Sequence, residues 1–315
     1  MANTTIDHAV HGDRRSLASD PTHAGVVSFA RRRYIADPDG ADVAVLGIPF
    51  DAATSNRPGA RFGPRAIRAA STIMDNDPQY PFARPIFDEL DVVDAGDVLL
   101  DYGDHASTPE RIERAATKLI DGHARCLALG GDHYVTWPLL RAHATRYGPL
   151  ALVQFDAHQD TWPDDGQRID HGTFVARAVR DGIIDPDHSI QIGIRTHAPD
   201  TCGVEVVYGY EVEERTAGDI AKAIIDRVGD RPVYVTFDID CLDPAYAPGT
   251  GTPVAGGPSS AKMLSVLRAL EPLHVVGADV VEVAPAYDHA ETTAIAASAV
   301  AMHYCGLWLA AKERQ

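Results

Sequence analysis

Apolar runs rich in β-branched residues alternate along this chain with longer segments of helical periodicity. Several of these runs are almost continuously apolar, which is typical of strands whose sheet is covered by helices on both faces. Strands alternating with helices favour a mostly parallel sheet. The predicted strands are 42–48, 125–130, 149–155, 189–194, 204–208, 232–239 and 274–283, and the predicted helices include 64–73, 108–121, 136–147, 216–228 and 259–270.

This alternation predicts an α/β protein, folded as a three-layer α/β/α sandwich. We find no internal repeat or break in composition, so we expect a single domain over 1–315, with a polar lead-in over 1–40 and the core over 41–315. Residues 292–311 contain no Asp, Glu, Lys or Arg. That segment is long enough to span a membrane. However, it is rich in Ala, Ser and Thr, so we predict a buried C-terminal helix instead.

The charge of the chain narrows the choice of partners. Among 315 residues, 45 are Asp or Glu and 28 are Lys or Arg, which gives a net charge of −17. Such a surface repels nucleic acid and attracts small cations. The four cysteines are widely separated, and the N-terminus has no apolar segment typical of a secretion signal. We therefore expect a cytoplasmic protein without a nucleic-acid or membrane partner.

Polar residues follow four of the predicted strands, at the strand ends where open parallel sheets bind ligands. Taken alone, one of these groups could be a turn with a buried histidine, and another could cap a helix. Together they indicate one crevice lined by chemically active side chains. They are Asp132 and His133 after 125–130, Asp156, His158 and Asp160 after 149–155, Asp238 and Asp240 at the end of 232–239, and Glu282 near the end of 274–283.

The spacing within these groups points their side chains in the same direction, because alternate residues of an extended segment share a face. Asp156, His158 and Asp160 therefore converge, as do Asp238 and Asp240. With His133 they supply four carboxylates and two imidazoles, and two divalent ions would balance the four negative charges. This mixture of oxygen and imidazole ligands suits Mn²⁺, with Zn²⁺, Co²⁺ or Fe²⁺ as alternatives.

Three longer motifs carry a resemblance to a known family. They are GGDH (130–133), DAHQD (156–160) and FDIDCLDPAYAPGTGTPVAGG (237–257). The chain resembles the ureohydrolase superfamily of arginases, agmatinases, guanidinobutyrases and proclavaminate amidinohydrolases from about residue 42 to 310. It is most similar to bacterial agmatinases in segments 169–174 and 182–196. The resemblance implies an arginase-like sheet of about eight strands and an assembly of three or six identical subunits.

The resemblance also implies two Mn²⁺ ions per subunit, with Asp156 and Asp238 bridging them. The first ion would be held by those two residues with His133 and Asp160, and the second by the same two with His158 and Asp240. Between them, the ions would lower the pKa of one water molecule enough to form a hydroxide. We expect this hydroxide to attack the guanidinium carbon of the substrate.

Three further roles are expected in this reaction. The resemblance places Glu282 where a carboxylate binds the guanidinium by paired hydrogen bonds, and His171 where a histidine shuttles protons. Expulsion of the amine requires a general acid, and Asp160 could relay the proton to the departing nitrogen.

Agmatine is the expected substrate, with putrescine and urea as products. Arginases bind the carboxylate and amino group of arginine with Asn and Ser or Thr side chains, whereas the loop 161–170 has neither Asn nor Ser, although it carries Thr161. Its acidic residues, including Asp170, would disfavour a substrate carboxylate and suit a cationic tail. We expect Asp164 and Asp165 to contact the distal ammonium group, although a solvated acidic loop would have the same composition.

Three alternatives stay open from the sequence. A guanidino acid could be the substrate, as for guanidinobutyrase or proclavaminate amidinohydrolase, and Arg168 could then bind its carboxylate. The chain could be a catalytically silent metal-binding subunit, although such a relative would be expected to have lost some of the ligands. A metal-dependent amide hydrolase on a related scaffold is disfavoured, because the sequence supplies ligands for two metals.

Overall fold

The computed structural model describes residues 7–15, 18, 20–74, 81–82 and 85–314. Its strands are β1 (Val43–Gly47), β2 (Val92–Asp97), β3 (Arg125–Leu129), β4 (Ala151–Phe155), β5 (Ile190–Ile194), β6 (Glu205–Tyr208), β7 (Val233–Asp238) and β8 (Val275–Val281). Its α-helices are α1 (His8–His11), α2 (Gly63–Ser71), α3 (Ile86–Glu89), α4 (Thr108–Asp121), α5 (Thr136–Tyr147), α6 (Phe174–Arg180), α7 (Gly209–Glu214), α8 (Ala217–Val228), α9 (Ser260–Arg268) and α10 (Thr292–Glu313).

Short 3₁₀ turns lie between several of these elements. Two of them begin at residues of chemical interest, because His133 and His171 each open such a turn. The 3₁₀ turns are Phe29–Arg31, Ala60–Phe62, Thr72–Met74, His105–Ser107, His133–Val135, His171–Thr173, Pro186–His188, Ile239–Cys241 and Pro285–Tyr287.

The strands form one eight-stranded sheet in the order β2-β1-β3-β8-β7-β4-β5-β6, and every pairing between neighbours is parallel. Helices cover both faces. One apolar cluster packs residues of α2, α8, α9 and α10 against the sheet, and the other packs residues of α4, α5 and α6 against the opposite face. The predicted three-layer α/β/α sandwich is therefore confirmed.

Strand β2 was missed by the sequence analysis. It lies at one edge of the sheet, where β1 is its strand neighbour and Tyr34 forms an isolated bridge with Asp94 on the other side. Only Val92 and Val93 form an apolar run there, because Asp94 and Gly96 interrupt the pattern. An edge strand has a full strand beside it on one side only, so it can tolerate such interruptions. Its hydrophobic signal is correspondingly short.

Helix α8 shows why the predicted helices formed where they did. Thr216 precedes it and accepts a hydrogen bond from the backbone N–H of Asp219, whose carboxylate accepts from the backbone N–H of Thr216. This reciprocal capping satisfies two N–H groups that the helix itself cannot bond. Gly229 ends the helix in a backbone conformation with φ of 61°, which glycine adopts without strain. The predicted segment 216–228 matches these bounds within one residue.

The charge-poor C-terminal segment forms α10, as predicted. By length and composition this helix could cross a membrane, but most of it is buried inside the protein. The indole N–H of Trp308 donates to the carbonyl of Val275, 3.1 Å away. Helix α10 therefore behaves as a core helix of the sandwich.

Part of the polar lead-in belongs to the core. Phe29, Arg31 and Arg32 are buried, and the guanidinium of Arg32 lies 4.4 Å from the centre of the Phe87 ring. Residues 1–6, 16, 17 and 19 of the lead-in lie outside the described residues. The prediction of a polar lead-in thus did not anticipate that apolar and arginine side chains of this segment are buried beside α2 and β2.

The strand order brings together the ends that the sequence singled out. The four central strands are β3, β8, β7 and β4, which are the four that run into polar residues. In register, Phe155 pairs with Phe237, and Asp238 pairs with Val281. The residues that follow each strand therefore lie side by side at the carboxyl edge of the sheet.

A buried ion pair near β2 gives a test of the packing between β2 and α2. Asp94 is fully buried and forms two hydrogen bonds with Arg68, of 2.8 and 2.9 Å. We expect Asp94→Ala to lower the free energy of unfolding by about 3–5 kcal/mol, because Arg68 would keep a buried charge with only the half-exposed carboxylate of Asp97 as its ion-pair partner. Urea unfolding monitored by circular dichroism measures this loss.

The matched control is Lys222→Ala, which removes an exposed ion pair with Asp226 on α8. We expect that change to cost less than about 1 kcal/mol. Equal losses for the two variants would contradict the importance assigned to the buried pair.

Candidate active site

The loop after β3 is held by close contact between two backbone segments. A Cβ atom on Gly131 would lie 1.7 Å from the carbonyl oxygen of Phe50, so only glycine allows this approach. The Asp132 carboxylate accepts hydrogen bonds from the backbone N–H groups of Ala53 at 2.8 Å and Tyr134 at 3.2 Å. Asp132 is thus a structural anchor that fixes the position of His133.

His133 lies at the centre of the first acidic group. It is buried, and its Nε2 atom is 2.9 Å from the hydroxyl oxygen of Thr236. Its other ring nitrogen, Nδ1, faces three carboxylates and has no partner with hydrogen-bond geometry in the described part of the chain. The distances from Nδ1 are 3.0 Å to Asp156 Oδ2, 3.1 Å to Asp160 Oδ2 and 3.2 Å to Asp238 Oδ2.

A second acidic group lies beside the first. The Nδ1 atom of His158 is 3.4 Å from Asp156 Oδ1 and 3.1 Å from Asp240 Oδ2. Asp156 thus faces one histidine with each of its two oxygens, as expected of a bridging carboxylate. Asp238 differs, because its Oδ1 accepts from the backbone N–H of Asp240 at 2.8 Å while its Oδ2 faces His133. Bridging by Asp238 stays a prediction.

The electrostatics of both groups call for added positive charge. Burial disfavours the charged form of His158, yet the carboxylates of Asp240 and Asp156 outweigh it and raise the pKa of His158 to about 12. Burial and the charge of Asp156 raise the pKa of Asp160 to about 6. Burial likewise opposes the charged form of His133, but the three carboxylates around it raise the pKa of His133 well above its ordinary value.

Without a metal ion, the carboxylates favour protonation of the two histidines. A divalent cation would supply that positive charge instead. Two sets of side chains, His133 with Asp156 and Asp238, and His158 with Asp156 and Asp240, have ligand atoms close enough to share an ion. Carboxylate oxygens and imidazole nitrogens are ordinary ligands for first-row metals. The residues therefore fit a candidate binuclear metal site.

Two residues of the site adopt backbone conformations that are unusual for residues other than glycine. Asp160 has a φ of 52° and Glu282 a φ of 64°. Left-handed backbone of this kind costs free energy and is concentrated at functional sites. In both cases it follows the last residues of a central strand, where the chain must turn a carboxylate into the site.

Glu282 has one oxygen occupied and one open. Its Oε1 accepts from the backbone N–H of His133 at 2.9 Å and lies 2.7 Å from Nδ1 of His171. Its Oε2 is buried and has no hydrogen-bond partner among the described residues. A buried carboxylate oxygen without a donor is costly, so a ligand that donates there would be favoured. A guanidinium would meet one open oxygen rather than the pair we expected.

His171 connects Glu282 to a residue that the sequence analysis did not identify. The backbone N–H of Ser55 donates to Nε2 of His171 at 3.1 Å, and the Ser55 hydroxyl is 2.7 Å from the same atom. Burial disfavours the imidazolium, but the charge of Glu282 outweighs it and raises the pKa of His171 to about 9. The Ser55 N–H acts in the opposite direction, because it favours a lone pair on Nε2. His171 is therefore placed to exchange a proton at Nε2.

A cavity of about 360 Å³ opens above the two acidic groups. It reaches the metal-site residues and His171 from solvent, and Glu282 lies behind His171. The residues that line it are Ser55, His158, Asp160, Trp162, Asp170, His171, Gly172, Asp238 and Thr252.

Asp164 and Asp165 do not line this cavity, so the structure gives no support to their predicted contact with the distal ammonium. The Asp164 carboxylate is 1% exposed and is bound by the guanidinium groups of Arg177 and Arg180. Asp165 instead accepts backbone hydrogen bonds within its own turn, including one from Arg168 at 2.9 Å. The contact predicted for Asp164 is disfavoured because α6 presents two arginines to its carboxylate. Loop composition alone does not reveal those partners.

The structure also identifies Gln154 as part of the support of the site. Its side-chain NH₂ donates to Asp156 Oδ2 at 2.7 Å, and its oxygen accepts from Gln191 at 2.7 Å. Both glutamines are buried, Gln154 in β4 and Gln191 in the neighbouring strand β5. A polar residue inside an almost continuous apolar run was the available signal, and the sequence analysis did not use it.

The chain is similar to known proteins in both sequence and structure. The model of the Arginase family matches residues 41–306. An agmatinase of Chromobacterium violaceum is 50% identical over 305 residues, which cover 94% of each chain. The crystal structure of a hypothetical agmatinase from Burkholderia thailandensis superposes with a TM-score of 0.96, at 50% identity over 98% of each chain.

A second solved structure carries a different name. The proclavaminate amidino hydrolase from Streptomyces clavuligerus superposes with a TM-score of 0.88 at 40% identity, covering 93% of this chain and 100% of its own. Family model, curated relatives and solved structures agree with the resemblance carried by the metal-site motifs. The chain belongs to the arginase family.

Proposed function

We propose that this chain hydrolyses agmatine to putrescine and urea. The observation that carries the proposal is the Chromobacterium violaceum agmatinase, which is 50% identical across 94% of both chains. The described site supports it independently, because a buried pair of acidic groups opens on one cavity. Such a site is suited to hydrolysis of a cationic group that resists attack by free water.

Two Mn²⁺ ions per subunit are the proposed cofactors. His133, Asp156, Asp160 and Asp238 would hold the first ion, and His158 and Asp240 would complete the second. Bound divalent ions would polarise a water molecule and lower its pKa for attack on the guanidinium carbon. Imidazole with carboxylate favours Mn²⁺ over metals that prefer thiolate ligands.

The remaining steps fall to three side chains. Glu282 would bind the guanidinium through its open oxygen, Oε2. Asp160 lines the cavity and would carry a proton to the departing amine, because an amine anion cannot leave. His171 lines the same cavity and would exchange protons with solvent through Nε2.

The distal ammonium of agmatine would be met at the cavity wall by Asp170 and Trp162. Both residues line the cavity, and the Trp162 ring is half exposed. A carboxylate attracts the ammonium, and an indole face adds a cation–π contribution. Asp170 already accepts from the backbone N–H of Gly172 at 3.0 Å, which fixes its orientation.

The same wall disfavours a guanidino acid. The Arg168 guanidinium lies 3.5 Å from Asp170 Oδ2 and is not among the residues lining the cavity. A substrate carboxylate would therefore face Asp170 before it reached Arg168. Like charges opposed in this way reduce affinity by several kcal/mol.

We also propose a cytoplasmic homo-oligomer of three or six copies. Leu99 and Tyr102, on the loop after β2, are 84% and 89% exposed on the single subunit, which supports a covering partner. The four cysteines are free in the structure, as expected in a reducing compartment.

Substrate choice is tested by urea release from the Mn²⁺-loaded protein with agmatine, arginine, 4-guanidinobutyrate and 3-guanidinopropionate. We expect kcat/KM for agmatine to exceed the others by at least about tenfold, because only its tail is free of negative charge. Preference for a guanidino acid would retain guanidinium hydrolysis but overturn agmatine. Absence of urea with every substrate, when two metals are bound, would contradict guanidinium hydrolysis and favour a silent metal-binding subunit.

Metal content tests the shared role of Asp156. We expect His158→Ala to retain about one ion per subunit and Asp156→Ala to retain fewer, because Asp156 faces both groups. Elemental analysis after gel filtration measures the number of metal ions per subunit. Two ions retained by Asp156→Ala would contradict the shared ligand.

Removing the ions with a chelator should also lower the unfolding temperature, since an ion at 100 times its Kd contributes about 2.7 kcal/mol.

The distal contact is tested with Asp170→Asn, with Asp165→Asn as the matched control outside the cavity. We expect the first to raise KM for agmatine about tenfold or more and the second to change it less than about twofold, because only Asp170 faces the substrate tail. Butylguanidine, which lacks the ammonium, should show no such difference. Equal effects of the two substitutions on agmatine would contradict the assignment to Asp170.

A further inference from the structure

Asp279 is a fully buried carboxylate on β8 that lies outside the cavity and its lining residues. Three hydroxyl groups donate to it. Thr136 Oγ1 and the Tyr234 hydroxyl lie 2.8 and 2.9 Å from Oδ2, and Thr236 Oγ1 lies 2.5 Å from Oδ1. Such a concentration of donors around one buried group indicates that the direction of each hydrogen bond is fixed.

Thr236 stands between Asp279 and His133. Its hydroxyl oxygen is 2.5 Å from Asp279 Oδ1 and 2.9 Å from His133 Nε2. Burial raises the pKa of Asp279, but the hydrogen bonds from the three hydroxyl groups oppose this rise and favour the ionised carboxylate, which can only accept. A hydroxyl has one proton to donate. If the hydroxyl proton of Thr236 pointed to His133, Oδ1 of Asp279 would lose the hydrogen bond from Thr236. The proton of Thr236 therefore points to Asp279.

The imidazole must then donate to Thr236. Neutral histidine carries its proton on one ring nitrogen, so a proton on Nε2 leaves a lone pair on Nδ1. Nδ1 is the atom that faces Asp156, Asp160 and Asp238. A lone pair facing three carboxylate oxygens at 3.0–3.2 Å is repelled unless a cation lies between them.

We infer that Asp279 is a positioning residue that acts through Thr236 to hold His133 in the tautomer whose Nδ1 lone pair faces the metal site. The inference rests on the proposed binuclear centre and deepens it. Metal-binding histidines generally donate their second N–H to an oxygen that fixes their orientation. Here the carboxylate sets the direction of that bond through an intervening hydroxyl.

The alternative is that Asp279 has a purely structural role, and the experiment must distinguish this role from an effect on His133. Asp279 links β8 to β7 through Tyr234 and Thr236, and to the start of α5 through Thr136. Loss of these links would loosen the whole sheet edge and weaken both acidic groups alike. Action through Thr236 and His133 would weaken only the ion held by His133.

Asp279→Asn is the decisive substitution, because it keeps the size of the side chain. The amide oxygen would stay with the two hydroxyl donors at the Oδ2 position, and the NH₂ group would face Thr236. Thr236 would then turn its proton to His133 Nε2 and favour the wrong tautomer. We expect Mn²⁺ affinity, measured by calorimetry on the full chain, to fall about 10- to 100-fold in a His158→Ala background, which retains the His133 site.

The same substitution in a His133→Ala background should leave the affinity of the remaining ion unchanged within about threefold. An equal loss in both backgrounds would overturn the inference and assign Asp279 a structural role. Unchanged affinity in both would overturn it as well. Thermal unfolding of each variant in the presence of chelator controls for loss of the fold.

Substitutions at Thr236 test the same relay. Thr236→Val removes the hydroxyl and should weaken the His133 ion as Asp279→Asn does, whereas Thr236→Ser retains the hydroxyl and should restore affinity to within about threefold. Tyr234→Phe is the matched control, since it removes a donor to Asp279 that does not lead to His133. Loss of affinity in Tyr234→Phe comparable to that in Thr236→Val would contradict the relay.

These outcomes are distinguishable from failure of the proposed function. If the wild-type chain binds two ions and shows the Asp279 effect but releases no urea, guanidinium hydrolysis fails and the relay stands. If the wild-type chain binds no divalent ion, both fail.

Discussion

Mutual repulsion among four carboxylates at one buried edge of the sheet is the constraint on which the site depends. Asp156, Asp160, Asp238 and Asp240 are all buried there, so water screens their charges only weakly. The two histidines between them are drawn towards the protonated state for the same reason. Divalent ions would resolve this conflict, because they would provide concentrated positive charge where the carboxylate oxygens converge.

Backbone hydrogen bonds orient the carboxylates before any ion binds. Asp238 Oδ1 accepts from the N–H of Asp240 at 2.8 Å, and Asp240 Oδ1 accepts from the N–H of Ala157 at 3.1 Å. In each case the other oxygen, Oδ2, faces a histidine. Asp238 and Asp240 thus each accept a backbone hydrogen bond with one oxygen and present the other oxygen to a histidine of the site. These backbone hydrogen bonds reduce the conformational entropy that the carboxylate side chains would lose on binding a metal ion.

The acidic residues near the cavity do not all present their charge to the substrate. Arg177 and Arg180 neutralise Asp164 within the loop, whereas Asp170 remains at the cavity. The acidic composition of the chain therefore does not act uniformly around the substrate. Which acid faces the ligand depends on the arginines of α6, and this arrangement supports a preference for a cationic tail.

The sequence by itself determined the α/β class, seven of the eight strands and the residues at the strand ends. Continuous apolar runs and the alternate spacing of Asp156, His158 and Asp160 depend only on neighbouring residues, so they can be read locally. Motif resemblance added the family and the expected role of His171. The edge strand β2 escaped because its apolar run contains only two valines.

Only the tertiary structure decided which of these residues meet. The chain order β3, β4, β7, β8 becomes the spatial order β3-β8-β7-β4, and the crossovers that cause this are long-range. The contacts of Ser55 with His171 and of Asp279 with Thr236 likewise join residues distant in sequence. Hydrogen-bond direction and ion pairing depend on such neighbours in space, and local sequence patterns do not encode them.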